Sequence, residues 1–159
     1  MENSTVFDPN SYIKNIGAEP DAKLLSDDGS VLPGIMGLAG AAEVIENGWE
    51  IGIDRLKMES GSAFELHTHP GAHILYVLKS RGFIRVDGVD YELGEGDTVY
   101  VPASYVHGIK TNPLVSEPFE LLAFGVPHMP ISSRDRMTLV DEDERRVPRS
   151  DSLSLAKEG

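Results

Sequence analysis

The sequence has no cysteine among its 159 residues. Disulfides and thiolate metal ligands are therefore excluded. The lack of cysteine leaves the redox compartment open and fits a cytoplasmic protein, which is the location we expect. No apolar run approaches the ~20 residues needed to span a bilayer. The first twenty residues carry Asp8, Lys14 and Glu19 where a signal peptide would have an apolar stretch. Basic charge is scarce: 14 Lys and Arg stand against 26 Asp and Glu, for a formal charge of −12. Neutralising nucleic-acid phosphates takes clustered basic residues, and these are scattered. We expect neither nucleic acid nor an anionic membrane surface as a partner. There is no strand–helix alternation to suggest a parallel sheet, no internal repeat beyond two related strand-pair units, and no low-complexity tract.

What is present suits one domain. Forty per cent of the chain is hydrophobic, enough for a packed core. Residues 1–48 read as an N-terminal arm, irregular and turn-rich around Gly34, Gly37 and Gly40, with room for a short helix at Ala41–Glu46. From Trp49 the pattern changes. Segments 49–58, 63–69, 74–78, 82–86, 90–93, 98–101, 105–110 and 119–124 are short and rich in Ile, Val, Tyr and Phe. Gly, Pro, Asn or Asp bound them, as turns do between strands. Asp87-Gly88 is a hairpin signal, because this pair can supply the positive φ angles of a type I′ turn. Eight strands at this spacing predict an all-β barrel core over 49–126. Residues 127–159, with the charge run Asp141–Arg146, read as a polar C-terminal tail.

Four of the five histidines fall between residues 67 and 107. In His67-Thr68-His69 the two imidazoles lie two residues apart, so a strand turns both to one face and one ion can take both. Pro70-Gly71 then supplies a turn, and His73 opens the next strand. His107 comes from a separate strand that a barrel can bring to the same interior point. Neutral imidazoles suit Fe, Mn, Ni, Cu or Zn and disfavour Ca and Mg. We therefore expect one divalent transition metal ion per chain, Fe, Mn, Zn or Ni, with His67, His69, His73 and His107 as ligands. His73 could instead act as an acid–base group beside the ion. His128, in Pro127-His128-Met129-Pro130, lies outside the pattern and reads as a surface residue.

These residues resemble the two motifs of the cupin family. The first motif is matched by Gly61, then His67-x-His69, then His73 where the family has glutamate. The second is matched by Gly96, Pro102 and His107. The departures are His73 for Glu, Ser104 for the glycine after Pro102, and Thr111 for an asparagine that reappears one place late as Asn112. The glycine that closes the first motif is displaced to Gly82. The resemblance covers about residues 49–126 and implies a double-stranded β-helix, or jelly-roll, barrel around a metal. It implies ligand roles for His67, His69 and His107, and for His73 by position.

Fold alone does not select a reaction. We expect a metal-dependent enzyme acting on a small organic substrate, first of all a non-haem Fe(II) dioxygenase. The second expectation is a redox-neutral isomerase, lyase or polyketide-type cyclase, with Zn, Mn or Ni as Lewis acid. The third is a non-catalytic module that binds a small molecule. Glu65 and Tyr105 are the expected bases or orienters. Phe64, Leu75, Val77, Tyr100, Tyr105 and Ile109 are expected in the cavity walls. An open sheet edge needs covering, and we expect a homodimer assisted by the N-terminal segment.

Overall fold

The computed structural model describes residues 6–131 and 133–147. Two antiparallel sheets face one another. The first has six strands in the order β1 (Ala22–Leu25), β2 (Val31–Val44), β3 (Glu50–Met58), β10 (Phe119–Val126), β5 (Ala72–Lys79) and β8 (Thr98–Val101). The second has five, in the order β11 (Thr138–Leu139), β4 (Ala63–Thr68), β9 (His107–Thr111), β6 (Arg81–Val86) and β7 (Val89–Gly94). This is the jelly-roll arrangement, and each of the eight segments read as strands from the sequence contains one.

Alternation explains the core. In β3, Gly52, Asp54, Leu56 and Met58 are buried while the residues between them are half-buried. In β10 the inward set includes Phe119, Leu121 and Ala123. Leu24, Leu32, Val77 and Leu139 join this core at 1% exposure or less. The hairpin between β6 and β7 turns at Asp87 (φ 50°) and Gly88 (φ 75°), so the Asp-Gly pair does take the left-handed angles a type I′ turn requires.

Two stretches differ from their sequence reading. Residues 31–44, expected as a loose turn-rich segment, form the longest strand of the barrel, paired along β3. Their glycines mimic a loop in the sequence, but one of them is a packing requirement: a Cβ at Gly40 would lie 2.3 Å from the Ile53 carbonyl oxygen. No helix forms at Ala41–Glu46; the strand continues to Val44, and a 3₁₀ turn covers Glu46–Gly48. The second is the stretch after Pro127. Up to Val147 it is not a solvated tail. Ile131, Met137, Leu139 and Val140 are buried, and β11 pairs with β4 so that Leu139 sits opposite His67. Residues 148–159 of the expected tail lie outside the described residues. A short helix, α1 (Pro9–Tyr12), is capped by Asp8, whose side chain accepts from the Asn10 N–H. No helix among the described residues is long and apolar enough to cross a membrane.

Candidate metal centre

Strand pairing assembles the histidines. His67 in β4 lies directly opposite His107 in β9. His69 follows at the end of β4, and the Ser104 N–H donates to its carbonyl (2.9 Å), which ties the turn before β9 to the His-x-His segment. His67, His69 and His107 are 3–5% exposed, and each offers a ring nitrogen within 4.8 Å of the others. The His67 and His107 rings have centroids 4.3 Å apart, and those of His69 and His107 are 4.8 Å apart.

Hydrogen bonds decide which nitrogens are available. The Nδ1–H of His67 donates to the Glu65 carbonyl (2.7 Å), that of His69 to the Gly71 carbonyl (2.6 Å), and that of His107 to the Tyr105 carbonyl (3.0 Å). A carbonyl can only accept, so each Nδ1 carries the proton and each Nε2 presents a lone pair. Nε2 of His69 and Nε2 of His107 face one another at 3.3 Å. Two lone pairs at that distance repel unless a cation lies between them. Two nitrogens each at ~2.0–2.1 Å from one divalent ion stand about this far apart. The donor set therefore fits a transition metal ion. Electrostatics agree: desolvation lowers the pKa of all three rings, to about 4 for His107 and well below the ordinary range for His67, so they remain neutral donors.

His73 stands beside this group, its ring centroid 4.0 Å from that of His69. Its nitrogens lie outside the three-residue cluster, and the ring makes no hydrogen bond among the described residues. Burial lowers its pKa to about 2, with further effects from His69 and Arg136. No carbonyl fixes its tautomer, so either ring nitrogen can present a lone pair as a fourth donor. All four rings border a cavity of about 40 Å³ whose other walls include Leu56, Phe64, Leu75, Ile109 and Met137.

A family model described as a cupin domain matches residues 55–124. Over these residues, which include His67, His69, His73 and His107, the chain is similar to the cupins. An uncharacterized protein of Methanocaldococcus jannaschii is 33% identical over 76 residues, which are 47% of this chain and 58% of that protein. The chain thus aligns with little more than half the length of this relative. Among solved structures, the polyketide cyclase RemF from Streptomyces resistomycificus superposes with a TM-score of 0.64 at 13% identity, over 92% of each chain. A cupin-2 domain protein from Rhodospirillum rubrum gives 0.57 at 16% identity, over 96% of this chain and 90% of that one. A predicted oxalate decarboxylase from Thermotoga maritima gives 0.56 at 17%, over 72% and 97%. At these identities the likeness is one of fold.

The places where the chain departs from the cupin motifs now have a geometry. Ser104, where the motif has glycine, adopts φ 61°, the left-handed angle that glycine takes without strain. Thr111, where the motif has asparagine, accepts from the Gly61 N–H and donates to the Ser62 carbonyl, joining the end of β9 to the turn before β4.

The other expected site residues are distributed differently. Glu65 does not line the cavity. A register shift between Phe64 and His67 puts both of those on the inner face, so strict alternation, which would align Glu65 with His67, fails at this bulge. Tyr105 and Tyr100 border a second, open hollow of about 520 Å³ instead, along with Ile84, Tyr91 and Val99; His107 borders both hollows. The Tyr105 hydroxyl donates to Asp87 Oδ2 at 3.4 Å. Val77 is core and lines neither hollow; Phe64, Leu75 and Ile109 do line the histidine cavity.

Four residues that the sequence did not place at the site, Glu50, Asp54, His128 and Arg136, form a chain beside it. His128, read from the sequence as a surface residue, is 8% exposed. Its Nδ1–H donates to Glu50 Oε1 (2.8 Å) and its Nε2–H to Asp54 Oδ2 (3.0 Å). Carboxylates accept at both nitrogens, which favours the imidazolium form; the Asp54 hydrogen bond is the main cause of its raised pKa. The Arg136 Nη1 donates to the same Asp54 oxygen (3.0 Å) and to the Met129 carbonyl (2.9 Å). Arg136 is itself a wall of the histidine cavity.

Proposed function

We propose that this chain is a metal-dependent cupin enzyme for a small organic substrate, and that its centre supports non-haem Fe(II) dioxygenase chemistry. One observation carries the reading. Three neutral imidazoles converge from two strands on the wall of an apolar cavity, where substrate can reach the ion. A structural zinc site would be closed by four ligands. When bound, the metal supplies Lewis acidity and, if iron, redox chemistry with dioxygen. The chain's own contribution is to hold the three Nε2 lone pairs in place, keep the rings unprotonated and surround the ligand with Phe64, Leu75 and Ile109. His73 stands beside the cluster and can offer a fourth neutral nitrogen.

A redox-neutral isomerase, lyase or cyclase is the second reading. His73 favours it: a fourth imidazole gives a four-nitrogen environment suited to zinc or nickel. The two readings separate in one experiment. Protein loaded with Fe(II) should consume oxygen with β-diketones, flavonols or catechols. An absence of uptake at full iron occupancy, together with anaerobic turnover by the zinc form, would replace the first reading with the second.

We also propose a homodimer. The outer face of the six-stranded sheet exposes Ile74, Tyr76 and Tyr100, with the exposed pair Lys79–Glu117 at one end, so a two-fold copy can cover the apolar patch and meet the pair with opposite charges aligned. Light scattering should give twice the chain mass; a monomer at micromolar concentration would refute this.

A further inference from the structure

We propose that Arg136 is an anion receptor at the wall of the histidine cavity, holding the carboxylate or enolate head of a small organic substrate against the metal centre. This rests on the metal-centre reading and gives that site a substrate class.

The guanidinium is 6% exposed, yet only one of its nitrogens is engaged. Nη1 has two protons, and Asp54 Oδ2 and the Met129 carbonyl take both. The remaining edge, Nε with Nη2, has three N–H donors and no acceptor among the described residues. Such a fork matches the two oxygens of a carboxylate. Nε and Nη2 are not sealed from solvent, so a ligand can take them, and the cavity that Arg136 lines contains no acidic side chain.

The charge balance points the same way. Glu50, His128, Asp54 and Arg136 form a chain of alternating sign that sums to zero, so Asp54 holds the guanidinium in place without making the site negative. Four neutral imidazoles do nothing to offset a divalent ion. The site with its metal is therefore cationic and walled by Leu56, Phe64, Leu75 and Ile109. A cavity of about 40 Å³ encloses a head group of a few atoms. A short carboxylate or an enolate oxygen pair meets all of these conditions; a neutral amide of the same shape meets the size condition but not the charge.

Calorimetric titration of acetate, with acetamide as the neutral control, into Zn(II)-loaded protein tests this, with zinc content measured on each sample. Acetate should bind the wild type and acetamide should not. Arg136→Gln should weaken acetate by about tenfold or more with zinc retained. Arg136→Lys keeps the charge and one bond to Asp54 but removes the fork, so it decides the matter if Arg136→Gln does not fold, and it too should bind more weakly. Unchanged acetate affinity in either zinc-loaded variant, or no acetate binding by the zinc-loaded wild type, would overturn the proposal while leaving the metal centre intact. Failure of the wild type to retain zinc would instead refute the metal centre. In that event the Arg136 Nε–H resonance of metal-free protein decides: a shift with acetate supports the receptor, and no shift overturns it.

Discussion

At the scale of single residues, the three clustered histidines and His73 should behave differently. His67→Ala or His107→Ala removes a nitrogen whose tautomer is fixed by a carbonyl, and elemental analysis should find metal binding abolished. His73→Ala removes a ring that stands beside the cluster, and affinity should fall by only about 10–100-fold, the range seen when a supporting residue is lost. Equal losses in all three variants would mean that His73 is a full ligand. The His-x-His pair was legible in the sequence because a strand's two-residue period fixes its geometry locally. Arg136 and His128 were not, because their meaning lies in contacts with Asp54 across 82 and 74 residues. Nothing near either residue in the chain marks it as buried. Glu65 shows the opposite failure. Its expected place followed from local alternation, and a bulge whose cause is the pairing of β4 with β9 displaced it.

At the scale of elements, two connections hold the site together, and each yields a prediction. The turn at residues 102–104 anchors His107 to His69 through the Ser104 N–H. Ser104 takes φ 61°, which costs a residue with a Cβ roughly 1–2 kcal/mol. Ser104→Gly relieves that strain but loosens the unfolded chain, so a net gain of roughly 0.5–1 kcal/mol is expected in chemical denaturation, with metal affinity unchanged. A loss of stability would show that the serine hydroxyl contributes more than the strain costs. The other connection is β11, whose Leu139 is fully buried opposite His67. Leu139→Ala should destabilise by ~2–5 kcal/mol and also weaken metal binding, because the strand beside His67 loses its packing. Destabilisation with metal affinity intact would separate β11 from the centre. The strands of the barrel were readable from their composition and turn residues. β1, β2 and β11 were not: β1 is four residues long, glycines give β2 the character of a loop, and neighbouring charges give β11 that of a solvated tail. Each becomes a strand only because a partner already stands beside it.

At the scale of the whole molecule, folding turns five histidines with one intrinsic pKa into two groups that respond oppositely to acid. The unfolded chain takes up protons near pH ~6.5. His67, His69, His73 and His107 resist protonation when folded, chiefly because burial removes water from the charged form. A depressed folded pKa on a base means that stability is complete above ~6.5 and declines as the pH falls below it. Each buried ring contributes a slope of up to roughly 1.4 kcal/mol per pH unit until its own folded value is reached, which for His107 is about 4. His128 has the opposite sign. Its pKa is raised by Asp54 and Glu50, so its contribution is present below ~6.5 and disappears as the pH rises through the folded value. Four rings against one leave a net loss on acidification. The melting temperature of metal-free protein should therefore fall steeply between pH 7 and 5. Added zinc should raise it at pH 7 through binding to the folded state alone. Because the folded rings titrate so low, that gain should persist past pH 6 and shrink as protons compete near His107's value of about 4. Thermal melts at pH 7, 6, 5 and 4, with zinc and with chelator, check both parts. A flat profile in chelator would mean that the rings are not held neutral in the folded state, and with that the neutral donor set at the heart of the metal centre would fail.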